Sequence, residues 1–187
     1  MRPKIEKVIK TIRSATVVSV CHYKESETAI NDITQRYREG QRVFEISRRS
    51  MNARRIFAEL VQCRPQRFPD AVLGVGIILE AKSARFFLRA GADFLVSPIT
   101  QLDIKKQCDQ ARILWIPHCF IAKDMVYASK LRCPVIKIFP DDVSGPNTVC
   151  NQFSVAPQVR ILPNMPKGGS PTLRSFEHIV LSPAYAI

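Results

Sequence analysis

The sequence predicts an α/β fold built as an eight-stranded parallel barrel, (β/α)8, that lacks its last helix. Three observations predict it. Short, nearly continuous apolar runs recur along the whole chain, segments of helical periodicity separate them, and the first run is not followed by a glycine-rich dinucleotide loop. A chain of 187 residues is enough for one sizeable core and too short for two, so a single barrel domain spanning 1–187 is expected.

Taken in order, the opening MRPKIEKVIKTIRS is charged and amphipathic, and residues 1–13 read as a helix placed before the first strand, at the bottom of the barrel. Eight strands are expected in ATVVSV (15–20), RVFEIS (42–47), AVLGVGII (71–78), DFLVSP (93–98), ILWIPHC (113–119), VIKIFP (135–140), QVRILP (158–163) and HIVLSP (178–183). Apolar runs bounded by polar residues or proline are the mark of parallel strands covered on both faces. Helices are expected between them, from ESETAINDITQRYRE through MNARRIFAELVQ, EAKSARFFLRAG, QLDIKKQCDQA and AKDMVYASKL to GPNTVCNQF and PTLRSFE. Strand starts lie roughly 20 to 30 residues apart, the length of a strand, a crossover helix and two short loops. An open doubly wound sheet is the alternative, since alternation alone does not decide closure. Against it, Val20-Cys21-His22-Tyr23-Lys24 stands where a dinucleotide loop would, and Gly74-Val75-Gly76 lies inside a strand.

Composition narrows the function classes. The chain is 46% hydrophobic, and no segment reaches the roughly 18 uninterrupted apolar residues of a membrane span. No apolar run near the start resembles a secretory signal, so a soluble, cytoplasmic protein is expected. The six cysteines, at 21, 63, 108, 119, 133 and 150, are scattered singly without a C-x-x-C, which argues against a metal site or a disulfide framework. They suit small buried hydrophobes, with Cys119 alone held as a candidate activated thiol. The net charge of +12 attracts anions, either phosphorylated metabolites or nucleic acid. The bases are spread along the chain and mixed with acids in QRYREGQRVFEISRRS, and no nucleic-acid-binding motif accompanies them.

In barrels of this class the chemistry sits at the C-terminal ends of the strands. Lys137 lies between Ile136 and Ile138 in a strand with no other charge. Burial there disfavours the ammonium and frees a neutral amine to attack a carbonyl. The alternative is a side chain that points outward and snorkels between helices. Strand alternation places Val43, Glu45 and Ser47 on one face and Phe44 and Ile46 on the other. Glu45 is then either a buried general acid/base or half of a structural ion pair. Arg49, just beyond the same strand, has the planar fork that suits a carboxylate or phosphate, although Arg48, Arg54 and Arg55 dilute the signal. The loop Pro163–Ser170, containing Lys167, Gly168 and Gly169, could form half of a phosphate cradle, though such Gly-Gly pairs also serve turn geometry alone.

Together VFEISRRS, LGVGIIL, RAGADFLVSP, the proline of IPHC and VIKIFPDDVSGP resemble, from about Ser14 to Ser170, the 2-keto-3-deoxy-6-phosphogluconate and 2-keto-4-hydroxyglutarate aldolase family. The resemblance implies Lys137 as imine-forming nucleophile, Glu45 as general acid/base and Arg49 as ligand of the pyruvyl carboxylate. It implies substrate contacts at Gly76, Ile77, Pro98, Phe139, Lys167, Gly168 and Gly169. The implied reaction cleaves a phosphorylated 2-keto acid reversibly to pyruvate and an aldehyde such as glyceraldehyde 3-phosphate. It needs no metal or organic cofactor, and the implied assembly is a homotrimer.

The chain departs from the family pattern at several points. Ile77 replaces a strand-three threonine, and His118 replaces the glycine after the strand-five proline. The Pro-Thr-Gly-Gly turn reads Pro166-Lys167-Gly168-Gly169, and Ser182-Pro183-Ala184-Tyr185 stands in place of the glycine-rich phosphate loop after strand eight, just before the sequence stops. Pro183 removes a backbone N–H where such a loop needs donors. Besides an active aldolase, two readings therefore remain: a catalytically impaired barrel kept for binding or assembly, and a basic polyanion binder.

Overall fold

The computed structural model describes residues 3–15, 18–138 and 160–163, with residues 3, 138 and 160–163 described by their backbone alone. The helices expected over 145–153 and 171–177 and the eighth strand expected over 178–183 lie outside these residues. The chain falls into two compact units, one of Met1–Ser97 with Gln101–Trp115, the other of Pro98–Thr100 with Ile116–Ile187.

The first unit opens with α1, Pro3–Ser14. Proline suits a first helical turn because its missing N–H would have no intrahelical acceptor there. Glu6 near the start and Arg13 near the end complement the helix dipole. Val8, Ile9 and Ile12 form its buried stripe. Four parallel strands follow in chain order, β1 (Ser19–Cys21), β2 (Val43–Ser47), β3 (Val72–Gly76) and β4 (Phe94–Ser97). They alternate with α2 (Ser26–Arg38), α3 (Ala53–Arg67), α4 (Ala81–Arg89) and α5 (Leu102–Ala111). Every residue of β2, β3 and β4 is buried, as the apolar runs predict for strands covered on both faces. Two strands depart from expectation: β3 ends at Gly76, short of 71–78, and β1 is shorter than 15–20 and exposes Val20.

Each helix presents a narrow apolar stripe, such as Ala29 and Ile33 of α2 or Ile56, Phe57 and Leu60 of α3. Phe57 and Phe87 meet edge to face at 5.6 Å between α3 and α4. Asp93, just before β4, accepts from Arg64 Nη1 at 2.6 Å and from the Leu73 backbone N–H at 3.0 Å, tying α3 and β3 to the start of β4. This ion pair is partly buried, which makes it worth more than a solvent-facing one.

In the second unit β5, which runs Leu114–Cys119 with its first two residues in the first unit, pairs in parallel with β6 (Val135–Ile138), and β6 with β7 (Arg160–Pro163). Between β5 and β6 lies α6, Ala122–Lys130. Its N-terminus is held by Asp124 Oδ2, which accepts from the Phe120 and Ile121 backbone N–H groups at 3.0 and 3.3 Å. Within each unit strands adjacent in sequence are adjacent in the sheet, so neither contains the order reversal that marks a doubly wound fold. No helix among the described residues is long and apolar enough to cross a membrane.

Candidate active site

In a parallel arrangement all strands of a unit end on the same side, where barrels of this class place their chemistry. In the first unit Glu45 is the third residue of β2 and is only 3% exposed. The whole of β2 is buried, so the expected division into a polar and an apolar face does not appear as a difference in exposure. Glu45, Gly74 and Phe94 are register partners across β2, β3 and β4 and share one face. Glycine at two positions of β3 makes room there. A Cβ at Gly74 would overlap the Phe94 ring, and a Cβ at Gly76 would stand 2.9 Å from the Glu45 carboxyl carbon and nearer still to Oε1. The glycines of the strand therefore seat one aromatic ring and one carboxylate.

Ile77 directly follows β3 with φ of 64°, in the left-handed region that a β-branched residue rarely enters. Its carbonyl accepts from Arg48 Nε at 3.3 Å, and Arg48 Nη1 donates to Ser83 Oγ at 3.2 Å. Arg48 is thereby a strut between β2, the turn after β3 and α4. Its neighbour Arg49 is exposed, and its guanidinium makes no ion pair or hydrogen bond with a described residue, which leaves the fork available to an anion. The sequence singled out Arg49 with Arg48 diluting the signal, and the structure ties down Arg48 and leaves Arg49 exposed.

Two further polar groups at strand ends carried no sequence signal. Trp115 Nε1 donates to Ser97 Oγ at 2.8 Å, both side chains being buried. Tyr23, beyond the end of β1, donates to Asp32 Oδ2 at 2.5 Å, and Arg36 Nε donates to the same oxygen at 2.8 Å. Burial, then Cys21 and Asp32 beside it, holds the Tyr23 phenol protonated well above its ordinary range.

In the second unit Lys137 is 3% exposed on β6, which rules out the snorkelling alternative. Its register partner on β5 is His118 and on β7 Leu162. Burial, reinforced by the positive charge of Lys137, pushes His118 down to about 4, so the imidazole is neutral at physiological pH. His118 departs from the family pattern in sequence, and its pairing with the lysine emerges only from the strand register. Pro98 is half-buried directly after β4. Cys119 is no activated thiol: burial, with Asp124 and Cys133 adding to it, pushes it up to about 12. Phe139, Lys167, Gly168 and Gly169 lie outside the described residues.

Comparison with known proteins shows the family. The family model described as KDPG and KHG aldolase matches residues 8–176. A 2-dehydro-3-deoxy-phosphogluconate aldolase of Zymomonas mobilis is 31% identical over 96 residues, covering 51% of this chain and 46% of its own. One from Treponema pallidum is 25% identical over 138 residues, covering 74% of this chain and 64% of its own. The chain thus spans about half to two thirds of the length of these relatives. Among solved structures, a KDPG aldolase of Legionella pneumophila, with pyruvate captured as a covalent carbinolamine, superposes with a TM-score of 0.76 at 21% identity, covering 94% of this chain and 82% of that one. The match of the family model across most of the sequence means that this chain belongs to the KDPG and KHG aldolase family.

Proposed function

We propose that the protein is a class I aldolase that cleaves 2-keto-3-deoxy-6-phosphogluconate, or a related phosphorylated 2-keto acid, to pyruvate and an aldehyde such as glyceraldehyde 3-phosphate. The observation that carries this reading is the burial of Lys137 on an apolar strand of a chain in this family. A buried amine beside a bound ketone is suited to covalent attack on it. Lys137 forms the imine, which draws electrons from the bond to be broken. Glu45, its carboxylate seated by Gly76, moves protons during imine formation and carbon–carbon cleavage. The exposed fork of Arg49 binds the pyruvyl carboxylate. Gly76, Ile77, Pro98 and Phe139 contact the substrate, and Lys167, Gly168 and Gly169 meet its phosphate.

The reading extends to architecture. The parallel strands belong to a (β/α)8 barrel, assembled as a homotrimer in the cytoplasm, where single cysteines remain reduced. The test is pyruvate release from 2-keto-3-deoxy-6-phosphogluconate by the purified protein. Turnover that disappears in Lys137→Ala supports the reading. A folded parent with no turnover on this or on other phosphorylated 2-keto acids favours the impaired barrel instead.

A further inference from the structure

The residue facing the nucleophile is a histidine, and the proposed roles above leave it unused. His118 and Lys137 are Cα register partners on neighbouring parallel strands, so their backbones lie about 4.8 Å apart and their side chains leave the sheet on the same face. Both side chains are largely or fully buried. Among the described groups the charge that lowers the basicity of His118 is that of Lys137; Asp124 of α6 and Cys133 act on the neighbouring Cys119. Burial, and after it the positive charge of Lys137, works against an imidazolium on His118.

That dependence on the charge of Lys137 fits one step of imine chemistry. We propose that His118 is a second proton acceptor in the active site, taking a proton from the carbon beside the imine as the iminium on Lys137 becomes an enamine. In this step the C–H bond breaks and its electron pair becomes the new C=C bond. The C=N π pair returns to Nζ, and the proton bonds to an imidazole nitrogen. Charge moves from Nζ to the ring, so the total is unchanged. As ammonium or iminium, Lys137 adds to burial in keeping His118 unprotonated and able to accept. Once the nitrogen is the neutral enamine, the repulsion is gone at the moment the ring must hold a proton, although burial, the larger cause of its low basicity, remains. Protonation of the enamine carbon is the same transfer reversed.

The inference rests on the aldolase reading, and one pair of measurements separates the two. Exchange of pyruvate methyl protons for deuterium in D2O reports the iminium–enamine step, and the mass of the borohydride-reduced pyruvate adduct reports imine formation. For His118→Gln the adduct should form as in the parent while methyl exchange slows by about 100-fold or more, the usual range for a lost acid/base group. Exchange at the parental rate with the adduct intact overturns the role of His118 and leaves the aldolase reading standing. Loss of adduct and exchange together makes His118 a support of Lys137, which also overturns it. No adduct on the folded parent ends both. Should His118→Gln fail to fold, His118→Gly decides: exchange lost and then restored by added imidazole supports the proposal, and exchange either retained or lost beyond rescue overturns it.

Discussion

The Glu45 carboxylate lies directly over the bare backbone of Gly76, in space that any Cβ at that position would occupy. Two strands thus share one volume, and the carboxylate is located by the absence of a side chain as much as by its own strand. Gly76→Ala should push the carboxylate aside. Overpacking of this kind costs typically about 1–3 kcal/mol of stability. Turnover should fall by about 100-fold or more, because a displaced acid/base group loses its contribution. Imine formation with pyruvate should survive, because Lys137 is untouched. Denaturant melts together with kcat and adduct mass check this, and parental kcat in Gly76→Ala would contradict it.

His118 gives the fold a pH dependence of known sign. In the folded chain it is held near 4, below its ordinary 6.5, so between these values the unfolded chain binds more protons. Its contribution is fully present above pH 6.5 and is lost as pH falls toward 4, by up to about 3 kcal/mol. His118→Gln should flatten the stability profile across that window. Urea midpoints at pH 7 and pH 4.5 for both proteins measure it, and an equal drop in the two would assign the dependence to other groups.

The alternation of strands and helices, the burial of β2 to β4 and the placement of Lys137 and Glu45 in strands were legible because each is written locally, as apolar runs interrupted by single charges. What was not legible depends on register. Nothing within RVFEIS or LGVGIIL tells that Gly76 falls beneath Glu45, or that Gly74 receives the Phe94 ring. Likewise the pairing of His118 with Lys137 is set by how β5 and β6 align, 19 residues apart in the chain but partners in the sheet. Arg48 and Arg49 look alike in sequence, and only the turn after β3 decides that the first is tied down.

Arg112 closes α5 with φ of 58°, in the left-handed region where glycine is the usual helix-stopping residue. Its side chain is exposed. Arg112→Gly should therefore stabilise the protein modestly, by about 0.5–1 kcal/mol, as the cost of a Cβ in this conformation outweighs the extra freedom of glycine in the unfolded chain. Thermal denaturation checks it, with a higher Tm expected and a lower one counting against the cap assignment.

Thiol chemistry separates structural from reactive cysteines. Cys119 is buried and pushed up to about 12, whereas Cys63 is half-buried on α3. Iodoacetamide at pH 8 should label Cys63 well before Cys119, and Cys119 should react only on unfolding, as followed by peptide mass spectrometry. Rapid labelling of Cys119 in the folded protein would show that its surroundings open.

The most direct test of the account is the intact mass after incubation with pyruvate and sodium borohydride, comparing the parent with Lys137→Ala. The account predicts a stable adduct on the parent and none on the variant. A folded parent that gains no mass, or a variant that gains as much as the parent, would contradict it.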